Sequence, residues 1–433
     1  MGSYNTTLGL VNLSGKGIRS TDITIDHDED WDYLANDPDR DKPWRPDLNF
    51  TGPLANNDSR NEREEINSGT DRGCWFSIGI TFDDNSTLNF RANQGDAYSQ
   101  GSSGVYTDSL TKSAPQNDYL EVYQSIGEDS EIYSNSYYIR PAATPDNSGW
   151  MGRLLAVNPT VRLNEITMPG SHDAGMYRPG VTTSANTQHL PIYDQLTAGA
   201  RYFDLRVCAW NVTELELWTY HGASYGGRLD DILDDVKRFI VANPTEAVFL
   251  KFRSNVSGDQ KPTVDLVTSK LAGHLYSAAS TPVFPEESLA NLKGKVVAAF
   301  HPDYDPSLIN SNNGTFPYSD YGNEDSGAFL PHSDNHYLGV YDSYSNDNAI
   351  RGMSADQQQK RTSCAGVGND YLFLFSWTLT GKGSIYNLDL LSSTANPQLP
   401  RALHASGNRP NIVYIDAVDP WICGPVIAMN PGL

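Results

Sequence analysis

The chain has 433 residues and a formal net charge of −22, and 38% of its residues are hydrophobic. This length exceeds what one ordinary hydrophobic core holds, so we expect two domains. The acidic charge argues against nucleic acid as a partner. No apolar run approaches the roughly 20 residues that span a bilayer, so we also expect no transmembrane segment.

The negative charge is uneven along the chain. Residues 1–150 carry a net charge of −14 and the remaining residues carry −8. This asymmetry predicts a domain boundary near residue 150, and the segment Pro141–Gly149 has the composition of a linker. No secretory signal is visible in the first 25 residues. The sequence therefore leaves the location open between the cytoplasm and export by a route or segment that it does not show.

Residues 1–145 are predicted to form a small all-β accessory domain of sandwich-like architecture. From Phe76 to Phe82 and from Leu88 to Ala92, apolar residues alternate with polar ones around the turn Asp83–Ser86, which predicts a β-hairpin. The acidic stretch Asp26–Asp41 is interpreted as a solvated loop, with calcium ligation as the alternative. No catalytic group stands out here, so the role of this domain stays open.

Residues 150–433 are predicted to form an α/β domain, an irregular TIM-type (β/α)8 barrel. The reason is a series of eight short apolar runs with helical patterns in several of the gaps. The predicted strands are 163–168, 201–207, 215–220, 246–252, 295–300, 337–342, 371–377 and 411–416. The predicted helices are 228–243, 263–277 and 384–404.

Six of these predicted strands end in side chains that can carry chemistry. In a barrel of this kind, the catalytic groups stand at the carboxyl ends of the strands. Asp204 and Arg206 share one face of the second strand by their two-residue spacing. The whole set of candidates, in chain order, is His172, Asp173, Asp204, Arg206, His221, Lys251, Asp342, Tyr344 and Asp416.

These side chains together predict phosphoryl transfer. Two histidines from different strands can act as general base and general acid. A guanidinium between them can bind two anionic oxygens of a phosphodiester. Such a set supports in-line attack of a hydroxyl on phosphorus, which depends mainly on positioning and charge neutralisation.

Three motifs resemble a known family. Met168–Asp173 (MPGSHD), Arg201–Arg206 (RYFDLR) and the pair His221-Gly222 are similar to the catalytic X region of bacterial-type phosphatidylinositol-specific phospholipase C. The resemblance covers about residues 150–430. It implies a phosphoric diester hydrolase or lyase that acts on phosphatidylinositol, or a related inositol phospholipid, at a membrane surface. The products would be diacylglycerol and inositol 1,2-cyclic phosphate.

The resemblance also implies roles for the catalytic residues. His172 would be the general base for the inositol 2-hydroxyl, oriented by Asp416. His221, supported by Asp204, would be the general acid for the diacylglycerol oxygen. Arg206 would bind the phosphate, with Asp173 alongside it.

Lys251, Asp342 and Tyr344 match positions that the resemblance assigns to contacts with inositol. One departure concerns the fifth predicted strand, which ends in an arginine in bacterial members but at His301 here. The departure leaves open whether the head group is inositol, a different polyol or a glycosylated inositol.

No cofactor and no metal are expected. The four cysteines form no CxxC pair, so no zinc site is predicted and the disulfide state stays open. In calcium-dependent relatives, an acidic metal ligand replaces the arginine at position 206, so Arg206 implies a metal-free mechanism.

Two other functions remain open from the sequence. The first is a metal-dependent phosphodiesterase of the glycerophosphodiesterase or sphingomyelinase D type, with Asp173 and Asp204 as metal ligands. The second is a non-catalytic protein that binds a lipid head group or a glycan.

Overall fold

The structure, a computed structural model, describes the chain with gaps. The described residues are 3–25, 31–32, 51–67, 75–93, 120–178, 182–211, 216–254, 260–278, 283–322, 338–366, 369–381 and 387–433. The chain divides into two compact units. The first unit comprises residues 1–144, 348–350 and 390–405, and the second comprises residues 145–347, 351–389 and 406–433.

The first unit contains two β-sheets. Its strands are β1 (Ser3–Asn12), β2 (Ile18–Ile25), β3 (Trp31–Asp32), β4 (Asp58–Asn67), β5 (Trp75–Phe82), β6 (Thr87–Asn93), β7 (Leu120–Glu128) and β8 (Tyr133–Pro141). Five of them form one sheet in the order β3-β4-β1-β8-β7, and three form the other in the order β2-β5-β6. Apolar residues of both sheets, such as Leu8 and Ile139 from one and Ile80 and Phe90 from the other, share one core. The predicted sandwich-like fold of the N-terminal part is confirmed.

The β5–β6 hairpin is present as predicted, with Ile78 opposite Phe90 and Ile80 opposite Leu88. The acidic stretch Asp26–Asp41 lies outside the described residues except for Trp31–Asp32, so the choice between a solvated loop and a calcium site stays as stated.

The second unit is a closed barrel of eight parallel strands. These strands are β9 (Met168–Ser171), β10 (Tyr202–Asn211), β13 (Ala247–Ser254), β14 (Lys295–Phe300), β15 (Thr315–Asp320), β16 (Leu338–Asp342), β17 (Leu372–Trp377) and β18 (Ile412–Ile415). The barrel closes because β9 pairs with β10 on one side and with β18 on the other. The predicted barrel class is therefore confirmed.

The prediction is wrong at three places in this barrel. Residues 163–165 form a 3-10 turn, and the first strand begins only at Met168. The predicted third strand is β11 (Glu216–His221), which pairs antiparallel with β10 and with β12 (Ser224–Arg228) and lies outside the barrel. The fifth barrel strand, β15, was not predicted, because Pro317 and its polar neighbours interrupt the apolar pattern.

The described residues also form α-helices. They are α1 (Trp150–Val157), α2 (Ile192–Ala198), α3 (Leu229–Ala242), α4 (Gln260–Lys270), α5 (Ile350–Cys364), α6 (Leu388–Ala395), α7 (Leu399–His404) and α8 (Pro420–Ile427). The predicted helix 228–243 is confirmed as α3, whereas the predicted helix 263–277 ends at Lys270. The predicted helix 384–404 is two helices separated by a 3-10 turn at Asn396–Gln398, where Pro397 interrupts the α-helical hydrogen bonding. None of the described helices is long and apolar enough to cross a membrane.

A buried ion pair fixes the start of β10, the strand that carries Asp204 and Arg206. The guanidinium of Arg201, which is fully buried, donates to Glu246 Oε2 at 2.7 Å and to the carbonyl oxygens of Leu196 and Ser148 at 2.7 and 2.6 Å. Glu246 in turn accepts hydrogen bonds from the backbone N–H groups of Met151 and Gly152 in α1. Such a pair is costly to break, because the remaining charge stays buried without its partner.

We expect Arg201→Met to lower the free energy of unfolding of the barrel unit by about 3–5 kcal/mol, because it leaves the Glu246 carboxylate unpaired. The double variant Arg201→Met/Glu246→Gln should recover part of this loss. Urea unfolding followed by tryptophan fluorescence measures both effects. A single variant as stable as the wild type would contradict this account of β10.

Candidate active site

The carboxyl ends of the barrel strands surround a cavity of about 270 Å³. Seven of the nine candidate residues line it: His172, Asp204, Arg206, His221, Lys251, Asp342 and Tyr344. The other two, Asp173 and Asp416, are buried in contact with His172. The structure thus brings all nine candidates together at one end of the barrel.

The register of β10 and β13 sets charged residues side by side. Asp204 is opposite Lys251, and Arg206 is opposite Arg253. Because alternate residues of a strand face the same way, all four side chains point into the barrel, and all four line the cavity. The strand pairing alone therefore brings three cations and one carboxylate to the cavity wall.

His172 follows directly after β9 and is paired with the residue that follows β18. Its Nδ1 lies 2.7 Å from Asp416 Oδ1. A carboxylate only accepts hydrogen bonds, so Nδ1–H donates to it and Nε2 is left for proton exchange. Burial of the ring lowers the pKa of His172, but the charges of Asp416 and Asp173 outweigh it and raise that pKa to about 9.

Asp173 is shared by three side chains that are or can become cations. Its Oδ1 lies 2.7 Å from Nε of Arg206, and its Oδ2 lies 3.5 Å from Nε2 of His172 and 3.6 Å from Nε2 of His221. Its carboxylate is fully buried, and neither oxygen accepts a hydrogen bond from a described residue. Contacts between charges therefore compensate its burial, and these contacts gather the two imidazoles and the guanidinium.

His221 reaches this cluster from outside the barrel. β9 pairs with β10 only at Tyr202 and Phe203, and β11 pairs with the later part of β10, from Val207 onwards. Gly175 allows the close approach, because a Cβ there would collide with the side chain of Thr219 in β11. Burial holds the pKa of His221 below its usual value, although the charge of Asp173 opposes this shift.

Lys251 is buried between two carboxylates. Its Nζ lies 2.7 Å from Asp342 Oδ2 and 3.6 Å from Asp204 Oδ1. Tyr318 donates a hydrogen bond to Asp342 Oδ2 at 3.1 Å, and the Lys251 ammonium lies 4.9 Å from the centre of the Tyr318 ring. Burial disfavours the ionised form of Asp204, but the charges of Lys251 and Arg206 hold the pKa of Asp204 well below its usual range.

Two expectations about the site differ from the observed geometry. Asp204, expected to support His221, instead contacts Lys251 and Arg206, the latter at 3.4 Å, while Asp173 lies beside His221. His301, near the departure from the family pattern, follows the fourth barrel strand rather than the fifth. Its Nδ1 lies 3.3 Å from Asp303.

Sequence reasoning missed several residues of the cavity wall. Arg253 could have been found, because it follows Lys251 by two residues on the same strand face. Ser376, Thr378 and Tyr414 also line the cavity. Their types are common in any strand, so they carry no distinct signal. Tyr318, which lies beneath them on Asp342, belongs to the strand that the prediction lacked.

Comparison with known proteins relates part of the barrel to a family. Residues 166–299 match the family model described as phosphatidylinositol-specific phospholipase C, X domain. This segment is similar to the X domain of that family. A 1-phosphatidylinositol phosphodiesterase of Staphylococcus aureus is 26% identical over 283 residues, which cover 61% of this chain and 85% of that protein. The PI-PLC X domain-containing protein 2 of Mus musculus is 29% identical over 184 residues, which cover 36% of this chain and 54% of that protein.

The barrel also has structural counterparts. A crystal structure of a phosphatidylinositol-specific phospholipase C from Staphylococcus aureus aligns with a TM-score of 0.51 at 19% identity, and covers 66% of this chain and 98% of that chain. At this identity the likeness concerns the fold alone. The predicted resemblance to phosphatidylinositol-specific phospholipase C is confirmed.

The Lys251 network makes a prediction about stability and pH. A carboxyl whose pKa is lowered on folding stabilises the fold above its ordinary pKa of 3.8, and this contribution is lost on acidification. Lys251→Met should therefore cost about 3–5 kcal/mol at pH 7, because it leaves buried carboxylates uncompensated. This loss of stability should be smaller near pH 4, because in the variant Lys251 no longer lowers the pKa of Asp204 and the carboxyl can take up a proton.

Thermal unfolding of the wild type and of Lys251→Met, at pH 7 and near pH 4, measures this effect. Lys261→Met is the matched control, because Lys261 pairs with Asp265 on the surface of α4 with 68% of its side chain exposed. That substitution should change the stability by less than about 1 kcal/mol. A Lys251→Met deficit that is the same at pH 4 and pH 7 would contradict the proposed charge balance.

Proposed function

We propose that this protein is a phospholipase C that cleaves phosphatidylinositol or a related inositol phospholipid at a membrane surface without a metal ion. One observation carries the proposal. Nε2 of His172 and Nε2 of His221 approach the same oxygen of Asp173, while the other oxygen of Asp173 holds Arg206. Two proton carriers thus flank one guanidinium, as attack on a bound phosphodiester requires.

The proposed step transfers two protons. His172 Nε2 accepts the proton of the inositol 2-hydroxyl while that oxygen attacks phosphorus. The bond between phosphorus and the diacylglycerol oxygen breaks, and His221 donates its proton to that oxygen. The products are diacylglycerol and inositol 1,2-cyclic phosphate, and the imidazoles have exchanged their protonation states.

The protonation of the free pair fits this step. The pKa of His172 is about 9 and that of His221 is lowered, so the pair holds one proton between these values, mostly on His172. The reactive form, with the proton on His221, has the same total charge and is a minor species of the same pair. The pH range of activity therefore depends on whether the pair holds one proton in total, and not on which histidine holds it in most molecules.

Arg206 neutralises the phosphate in this proposal. Its guanidinium, whose side chain is 28% exposed, lines the cavity and is held by Asp173 and Asp204 on its Nε edge. A fixed cation at this position would repel a metal ion from the same two carboxylates. Within the described residues, no three His, Cys, Asp or Glu side chains are grouped to hold a metal. We therefore prefer Arg206 to a metal as the group that binds the phosphate.

The head group would lie against the part of the cavity wall that Lys251, Asp342 and Tyr344 form. Lys251 and Asp342 offer a donor and an acceptor for ring hydroxyls, and Tyr344, which is 36% exposed, offers an aromatic face at the cavity. Ser376 and Thr378 add hydroxyl groups. This lining suits a polyol, and the relatives named 1-phosphatidylinositol phosphodiesterase support inositol as that polyol.

Substitution of either histidine tests this assignment and the non-catalytic alternative together. His172→Ala and His221→Ala should each reduce release of diacylglycerol from phosphatidylinositol vesicles by roughly 10²–10⁴-fold, because each removes a proton carrier. His274→Ala, remote from the cavity, is the control and should keep the wild-type rate. Wild-type rates in both active-site variants would contradict the proposal, as would a wild-type protein that binds the vesicles and cleaves nothing.

The pH dependence tests the pairing of His172 with Asp416. The profile of kcat/KM should be bell-shaped, with an acid limb below 6.5 from His221 and an alkaline limb near 9 from His172. Asp416→Asn should move the alkaline limb to lower pH, because it removes a charge that raises the pKa of His172. An alkaline limb that stays in place in this variant would contradict the pairing.

A further inference from the structure

The two loops that carry His172 and Asp416 begin where the hydrogen bonds of the sheet end, so other contacts must hold these loops in place. β9 and β18 pair over four residues each and end at Ser171 and Ile415. His172 and Asp416 are therefore the first residues past the sheet on neighbouring strands. One backbone bond, from His172 N to Ile415 O at 3.2 Å, continues the pairing beyond Ser171.

Gln188 spans these two loops with its side chain. Its amide nitrogen Nε2 donates to His172 O at 2.9 Å and to Ile415 O at 3.0 Å. Its Oε1 accepts from Val418 N at 2.9 Å. The side chain is fully buried, and its amide satisfies polar backbone groups of both strand ends.

Thr187 makes two further contacts to the same loops. Its hydroxyl donates to Asp173 O at 3.0 Å, and its carbonyl oxygen accepts from Ala417 N at 2.7 Å. Asp173 and Ala417 both have positive φ angles, of 41° and 51°, a conformation that side-chain-bearing residues rarely adopt. The two strained residues directly follow the two paired residues, so these hydrogen bonds act where the loops would otherwise relax.

We propose that Thr187 and Gln188 are positioning residues that hold the His172 imidazole against the Asp416 carboxylate. Neither side chain is needed as a proton carrier. The inference deepens the proposed function, on which its relevance to catalysis rests, but the pairing it explains is a property of the free protein.

The pKa of His172 reports on this pairing. The groups that act on its ring come from the neighbouring elements, and they are Asp416, Asp173, Asp204, Arg206, His221 and Tyr414. Arg206 lowers the pKa of His172, while Asp416 and Asp173 raise it. A loop that carries Asp416 away from the ring therefore lowers the pKa of His172, even when the other groups stay in place.

The experiment compares Gln188→Met with Gln195→Met. Gln195 is equally buried and also makes three side-chain hydrogen bonds, to Ala174 O, Leu190 O and the Ser171 hydroxyl. These bonds involve the loop after β9 but no residue after β18. The two variants thus lose similar interactions and differ in the connection to the Asp416 loop.

The readout is an NMR titration of the His172 ring proton in the free protein, with the signal assigned by its loss in His172→Ala. In Gln188→Met the pKa of His172 should fall from about 9 to about 8 or below. In Gln195→Met it should stay at the wild-type value while the melting temperature falls. Equal pKa values in the two variants, shifted or unshifted, would overturn the inference.

Thr187→Val gives a second, milder test that does not depend on the folding of Gln188→Met. It removes the hydroxyl bond to Asp173 O and keeps the backbone bond to Ala417, so the pKa of His172 should fall less than in Gln188→Met but measurably. No change would overturn the role of Thr187. Because the titration needs no substrate, a wild-type protein that cleaves no inositol phospholipid would refute the proposed function and leave this inference standing.

Discussion

The arrangement of the site depends on one buried carboxylate. Asp173 is enclosed without a hydrogen-bond donor among the described residues, so its charge must be met by cations. Arg206 satisfies one oxygen at 2.7 Å, and the two histidines approach the other. Each of these three groups comes from a different strand or loop. The demand of Asp173 for positive charge therefore brings together side chains from the loop after β9, from β10 and from β11.

Contacts between opposite charges continue from Asp173 into the barrel. Lys251 lies between Asp204 and Asp342, and Asp204 also contacts Arg206, so charges alternate from Asp342 to Asp173. In this chain Lys251 and Arg206 hold the pKa of Asp204 well below its usual range. In the proposed function, this arrangement would leave Arg206 available for an anionic phosphate in a protein with a net charge of −22. The carboxylates next to Arg206 are occupied by cations, and its exposed edge faces the cavity.

The sequence indicated which side chains meet at the cavity more accurately than it indicated the individual strands of the barrel. His172, Asp204, Arg206 and Asp416 each lie within or shortly after an apolar run, and the two-residue spacing of a strand is readable without knowing its neighbours. The spacing of residues does not show whether a strand runs parallel or antiparallel to its neighbour. The segment of β11 was therefore predicted as a barrel strand. Its short connection to β10 was the physical clue, because a parallel strand needs a crossover of about a dozen residues. The pairing of His221 with Asp173 rather than Asp204 was beyond prediction, since it depends on where β9 ends and β11 takes its place beside β10.

We propose above all that two histidines and an arginine catalyse the formation of inositol 1,2-cyclic phosphate without a metal ion. Phosphorus NMR of phosphatidylinositol vesicles treated with the protein in excess EDTA tests it most directly. The account predicts that the phosphodiester signal is replaced first by that of inositol 1,2-cyclic phosphate, at the same rate with and without the chelator. Cleavage that stops in EDTA, or that yields inositol monophosphate with no cyclic intermediate, would contradict it.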